Sequence, residues 1–388
     1  MTGDSQLADL LSDGLVETES DQPISIDRGP DLGRQEIVEP SIYRAPMLWV
    51  IGLGVALIVS VILAVWFGSS DISFGKVWQV IGHHAFKRPA EISWTEPQDA
   101  IVWQVRLPRV LLGVVVGALL AISGVALQAL VRNILAEPYL IGVSSGASVG
   151  AATVILFGGV LTQRLFMSPL TLTGAAFIGG LVATVSVFAL ARIGGTVTPT
   201  RLVLAGITMS YALSAVTSTM IFVADSRDGA RGVLFWMLGS LDGARWSALS
   251  VPAILLILGF VALLWWGPYL DVLALGDDTA LALGVDPARL RSVVFTVVAL
   301  CVAGAVAAAG PIGFVGLVVP HVTRLLVGAT HRAVLPVAAL LGGLVLVWAD
   351  VVARVALAPR ELPIGVVTAL VGAPFLLILV RRFNGAET

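Results

Sequence analysis

The chain has 388 residues, of which 57% are hydrophobic and only 12% charged, and its mean hydropathy is +0.96. A soluble domain carries about 25% charged residues, so the composition excludes an ordinary soluble enzyme or binding domain and implies repeated membrane crossings. The net charge of −2 conceals a split, because residues 1–45 hold ten acidic and three basic side chains.

That acidic segment has one aromatic residue, Tyr43, and is expected to be a disordered tail. It has no basic stretch ahead of an apolar run, and the first such run starts near Met47, so no leader peptide is expected. Residues 46–388 then form a membrane domain. A helix needs about 20 apolar residues to cross the hydrocarbon. Runs of that kind start near Met47, Val110, Tyr139, Leu165, Leu202, Trp246, Ser292, Ala333 and Leu362. The run from Ser292 to Thr323 is too long for one crossing, and Gly310-Pro311 divides it. The expectation is an all-α polytopic protein with about ten transmembrane helices. Ten spans place both termini on one side. Lys and Arg divide twelve to eleven between the two sides, so charge alone does not orient the chain.

Between the first two runs, Ser69–Ala100 carries Phe74, Trp78, Trp94 and the pair His83-His84, and reads as a short interfacial helix. A metal site of His83, His84 and Glu91 is the weaker reading, because adjacent residues do not share a helix face. The second run opens on Arg106-Leu107-Pro108-Arg109. Two arginines there suit either interfacial anchors or a cationic docking patch. Small residues follow at Gly113, Gly117, Ala118, Ala121, Ser123 and Gly124, which let membrane helices approach closely. Gly142–Ala147 is either a packing surface or an unwound ligand contact. In the fifth run Gly206, Ser210, Ser214 and Ser218 recur every four residues on one face. That face is either a packing seam or a wall with little bulk and mild polarity, suited to a large solute. Arg109 to Gly124 and Arg289 to Gly304 are each fifteen residues, a faint echo of an inverted repeat.

Leu270–Arg291 is a polar island in this apolar chain. Asp277 or Asp278 can cap a helix through Thr279–Leu283 that stops at Gly284, and Asp286-Pro287 starts the next helix. Two turns lie far below the ~12–15 residues an isolated helix needs. Leu281 and Leu283 therefore want a partner's surface. No P-loop, HExxH or CxxC occurs, and Cys301 stands alone. Neither catalysis nor nucleotide binding by the chain itself is expected, and no cofactor or nucleic-acid partner is implied.

Four strings carry a resemblance: Arg106–Gly150, ALGDDTALALGVDPARLR (Ala274–Arg291), GPIGFVGLVVPHVTRLLVG (Gly310–Gly328) and ELPIGVVTALVGAPFLLILVRR (Glu361–Arg382). In that order they resemble the FecCD-type permeases, the ABC importer subunits for iron chelates and cobalamin. The resemblance extends from about Met47 to Phe383, with Ile134 standing where the family usually has Pro. It implies a plasma-membrane (inner-membrane) subunit with cytoplasmic termini and a second permease subunit alongside it. It further implies a pair of ATP-binding subunits and an extracytoplasmic substrate-binding protein, with a ferric siderophore as the expected substrate. Cobalamin or haem are the alternatives within the class, and a secondary carrier without an ATPase is the alternative outside it. By resemblance, a cytoplasmic coupling helix lies between spans six and seven, at Asp277, Asp278, Leu281, Leu283 and Gly284. The docking positions for the binding protein fall on Arg106, Arg109 and Arg354, and the fifth span, with Gly206, Ser210, Ser214 and Ser218, lines the pathway.

Overall fold

The computed structural model describes residues 46–68, 72–88, 92–161, 169–193, 195 and 197–384. The acidic segment 1–45 and Glu91 lie outside them. Proline, glycine and the apolar runs set where each helix begins and ends. The helices are α1 (Pro46–Trp66), α2 (Phe74–Phe86), α3 (Glu96–Ala100), α4 (Leu107–Val131), α5 (Val143–Leu161), α6 (Pro169–Arg192), α7 (Pro199–Val223), α8 (Arg227–Met237), α9 (Trp246–Ala274), α10 (Asp277–Ala282), α11 (Pro287–Ala309), α12 (Val315–Val327), α13 (His331–Val355) and α14 (Ile364–Asn384). The described residues include no strand.

Each expected apolar run coincides with a helix. Among the described residues seven helices are long and apolar enough to cross a membrane, and α5, α12 and α14 contribute shorter apolar stretches. The interfacial segment contains α2. The second run reaches further back than expected, to Glu96. Pro108 has no N–H for the carbonyl four residues earlier, and the chain absorbs this in a wide turn at Ile101–Arg106, where the Leu107 amide bonds the Val102 carbonyl. The break at Gly310-Pro311 is present: α11 ends at Ala309 and Gly310 takes φ +67°.

Helix α4 is the centre, buried along almost its whole length and packed against α9, α11, α12 and α13. Its glycines make this possible. A Cβ on Gly117 would lie 2.2 Å from the Gly342 carbonyl of α13, and one on Gly124 would lie 1.9 Å from the Gly316 carbonyl of α12. Gly146 of α5 meets Gly179 of α6 in the same way. The Gly142–Ala147 stretch is thus a helix start and packing surface. Helices α4 and α11 run in opposite directions, but the two ends of the proposed echo differ: Arg109 is buried and Arg289 exposed.

Candidate functional site

Charged groups gather at both ends of α4. At its C-terminal end stands α10, framed by Gly276 (φ +124°) and Gly284 (φ +78°). Gly284 closes the helix as expected, with the Val285 amide on the Ala280 carbonyl at 2.8 Å. Asp286 caps α11 by accepting from the Ala288 and Arg289 amides. The expected cap at the start of α10 is corrected. Gly276 is the N-cap and no side chain caps it. Asp277 is the first helical residue and turns toward Arg291, whose Nη1 and Nη2 donate to its two oxygens at 2.8 and 2.5 Å. The Arg132 guanidinium lies 3.7 Å away. These bonds, led by that from Arg291, hold the Asp277 carboxyl below the usual carboxylate range. Ala280 is fully buried, Asp278 is exposed, and Leu281 and Leu283 are each 60% exposed.

The N-terminal end of α4 is buried. Arg106, Arg109 and Arg354, expected as interfacial anchors or docking positions, do not lie open at the surface but are buried to 4, 6 and 5% exposure. A buried guanidinium needs partners, and the fold supplies them. Arg109 Nε meets Asp350 at 2.9 Å, and its Nη1 meets Asp242 at 2.7 Å and Glu361 at 2.8 Å. Arg354 pairs with Asp350 one turn earlier on α13, at 3.0 Å. Arg354 also donates to the carbonyls of Phe67 and Ala64, and Arg106 to that of Trp66. The two arginines thus satisfy carbonyls left open at the end of α1, where the helix dipole favours cations. Burial, and then the neighbouring Asp242 carboxyl, push Glu361 up from the usual carboxylate range.

On α7 the four small residues do not share one environment. Gly206 is buried against the chain at Leu140, whose carbonyl lies 1.7 Å from where a Cβ would stand, so it is a packing residue. Ser210 is half-buried, and Ser214 and Ser218 are exposed. Near the Arg109 cluster three irregular stretches cross. Ser240 N donates to the Ala309 carbonyl, Ile364 N to Gly239, and Gly365 N to Leu238. Beside the crossing a cavity of about 770 Å³ is lined by Phe177, Phe235, Trp236, Asp242, Arg245 and Glu361 among others. The positive-φ Gly239 and the Gly310-Pro311 step were its local signals; the pairing across the chain had none. Among the described residues no three His, Cys, Asp or Glu side chains come together as metal ligands. His84 bonds Asp99 at 2.9 Å and stacks on Trp103.

Residues 56–382 match the FecCD transport family. The chain belongs to that family. This FecCD chain is 41% identical over 310 residues to the cobalamin import system permease BtuC of Halobacterium salinarum, covering 80% of this chain and 81% of that one. It is 38% identical over 337 residues to the hemin transport system permease HmuU of Yersinia pestis, covering 85% and 95%. A solved structure described as an inward-facing conformation of a metal-chelate type ABC transporter superposes with a TM-score of 0.73 at 32% identity, covering 86% of this chain and 98% of that one. As a FecCD member with this helical architecture, the chain is a polytopic membrane transport subunit and not an enzyme.

Proposed function

We propose that this chain is the permease of an ATP-driven importer that carries a ferric siderophore across the cytoplasmic membrane. The observation that carries the reading is α10: a six-residue helix with Leu281 on it and Leu283 at its C-cap, both 60% exposed. Apolar knobs on so short a helix suit the groove of a partner, here a pair of ATP-binding subunits. On this reading α10 and both termini are cytoplasmic, and the Arg109 end faces a substrate-binding protein outside. A second permease subunit covers the exposed face of α7, with Ser210, Ser214 and Ser218 beside the pathway. Arg109 serves docking from below, by holding Asp242 and Glu361 in place, while Arg106 and Arg354 tie the end of α1 behind it; Asp242, 60% exposed, is the group a partner meets. Cobalamin is the second reading, supported by the 41% identity to a cobalamin permease.

Uptake of labelled ferric chelates, haem and cobalamin by cells with and without the chain decides the substrate. Accumulation of cobalamin alone would replace the siderophore assignment. Leu281→Asp is expected to detach the ATP-binding subunits while the permease stays in the membrane. Parental copurification and uptake in that variant would remove α10 from the ATPase contact.

A further inference from the structure

Helix α10 touches the rest of the molecule through few side chains. Ala280 is its one buried residue, and glycines with positive φ frame it on both sides. Two turns of helix are not stable alone, and a buried methyl group resists sliding poorly. The directional contact is Asp277 on Arg291. Arg291 is only 3% exposed, and its guanidinium grips both oxygens of Asp277. Its Nε also reaches the Leu130 carbonyl at 3.5 Å, in the last turn of α4. A planar fork on a carboxylate fixes orientation as well as distance, which a single point charge does not. One side chain rooted in α11 thus holds α10 and the end of α4 together. Helix α4, twenty-five residues long, then runs about 37 Å, at 1.5 Å per residue, to the Arg109 cluster at the other end.

We infer that the Asp277–Arg291 pair is the joint through which displacement of α10 is passed to α4 and α11, and so to the opposite face. Both are positioning residues. The inference rests on α10 being the ATPase contact, and adds that grip and transmission are separate functions of separate side chains. Leu281 and Leu283 take the grip; Asp277 and Arg291 carry the load inward.

The test uses the full transporter with its ATP-binding subunits in lipid nanodiscs, with spin labels on cysteines replacing Leu234 and Leu357. Both positions are exposed, at 54 and 59%, while the native Cys301 is buried at 1% and stays unlabelled. ATP with vanadate is expected to shift the distance between the labels in the parent. Asp277→Asn is expected to lose the shift while copurifying with parental amounts of ATP-binding subunit and still hydrolysing ATP. Asp277→Glu, which keeps a carboxylate, is expected to retain it. A shift that survives in Asp277→Asn overturns the joint, as does a parent that does not respond to nucleotide. Loss of copurification in Asp277→Asn would make the carboxylate part of the grip, and also overturns it. Failure of the underlying contact is seen separately, as normal copurification of Leu281→Asp.

Discussion

Among the described residues Arg109 gathers the most charge, with three carboxylates within 3 Å of its guanidinium. Asp350 is 1% exposed, so removing Arg109 leaves that carboxylate with Arg354 alone. Breaking one partner from a buried ion pair costs about 3–5 kcal/mol, and the remaining arginine places the cost near the lower end. Arg109→Ala is therefore expected to lower the melting temperature of the purified permease by several degrees and to reduce its yield. Arg109→Lys should recover only part, because an ammonium cannot fork to all three acids. Melting curves in one detergent at one pH measure both variants. An unchanged midpoint for the alanine variant would mean that water enters the cluster and satisfies Asp350. The same burial rules out charge reversal at Arg106, Arg109 and Arg354 as a test of docking, since such variants would fail to fold before they failed to dock.

At the scale of the elements, α4 holds its neighbours at distances only glycine allows. Gly124→Val must push α4 away from α12, because its Cβ would start 1.9 Å from the Gly316 carbonyl. Overpacking of this kind costs about 1–3 kcal/mol or more. Around Gly52 of α1 nothing lies within 4 Å of where a Cβ would stand, so Gly52→Val is the matched control and is expected to be neutral. Equal thermal stability of the two variants would contradict the packing assigned to α4. Much of this architecture is legible in the sequence because membrane helices are written locally, as long apolar runs with charge at their ends. The break at Gly310-Pro311 and the start at Asp286-Pro287 are equally local, depending on backbone chemistry within two residues. The ion clusters are not local. Arg109 and Asp350 lie 241 residues apart, and no periodicity links them. Asp277 misled for a related reason: a carboxylate at a helix start suits a cap, but Arg291, fourteen residues on, offers a stronger, charged partner. Gly206 joins Ser210, Ser214 and Ser218 by spacing, yet the turn at Leu140 claims it and leaves the serines outside.

For the whole molecule the question is which exposed faces meet lipid and which meet water. Ile254, Ile257, Leu258, Val261 and Trp265 form one apolar face of α9, each more than half exposed. Such a face is stable against hydrocarbon. The face of α7 is mixed: Tyr211 and Phe222 are 77 and 89% exposed, but Ser214 and Ser218 stand exposed between them. If that face borders the pathway, water reaches the serines in the assembled transporter although a second subunit covers the aromatic residues. A thiol reacts with maleimide as its thiolate, and an anion is disfavoured in the hydrocarbon by kilocalories. Cysteine substitution therefore reports on water at each face, with the buried Cys301 as a silent background. Ser214→Cys and Ser218→Cys are expected to react with a membrane-impermeant maleimide in reconstituted transporter, and Leu258→Cys, 62% exposed in the single chain, to remain unlabelled. Reaction of Ser214→Cys should slow when the transported chelate is present, because solute and reagent compete for the same space. If the α7 cysteines stay as unreactive as Leu258→Cys, that face is lipid-facing or tightly packed, and the pathway runs elsewhere.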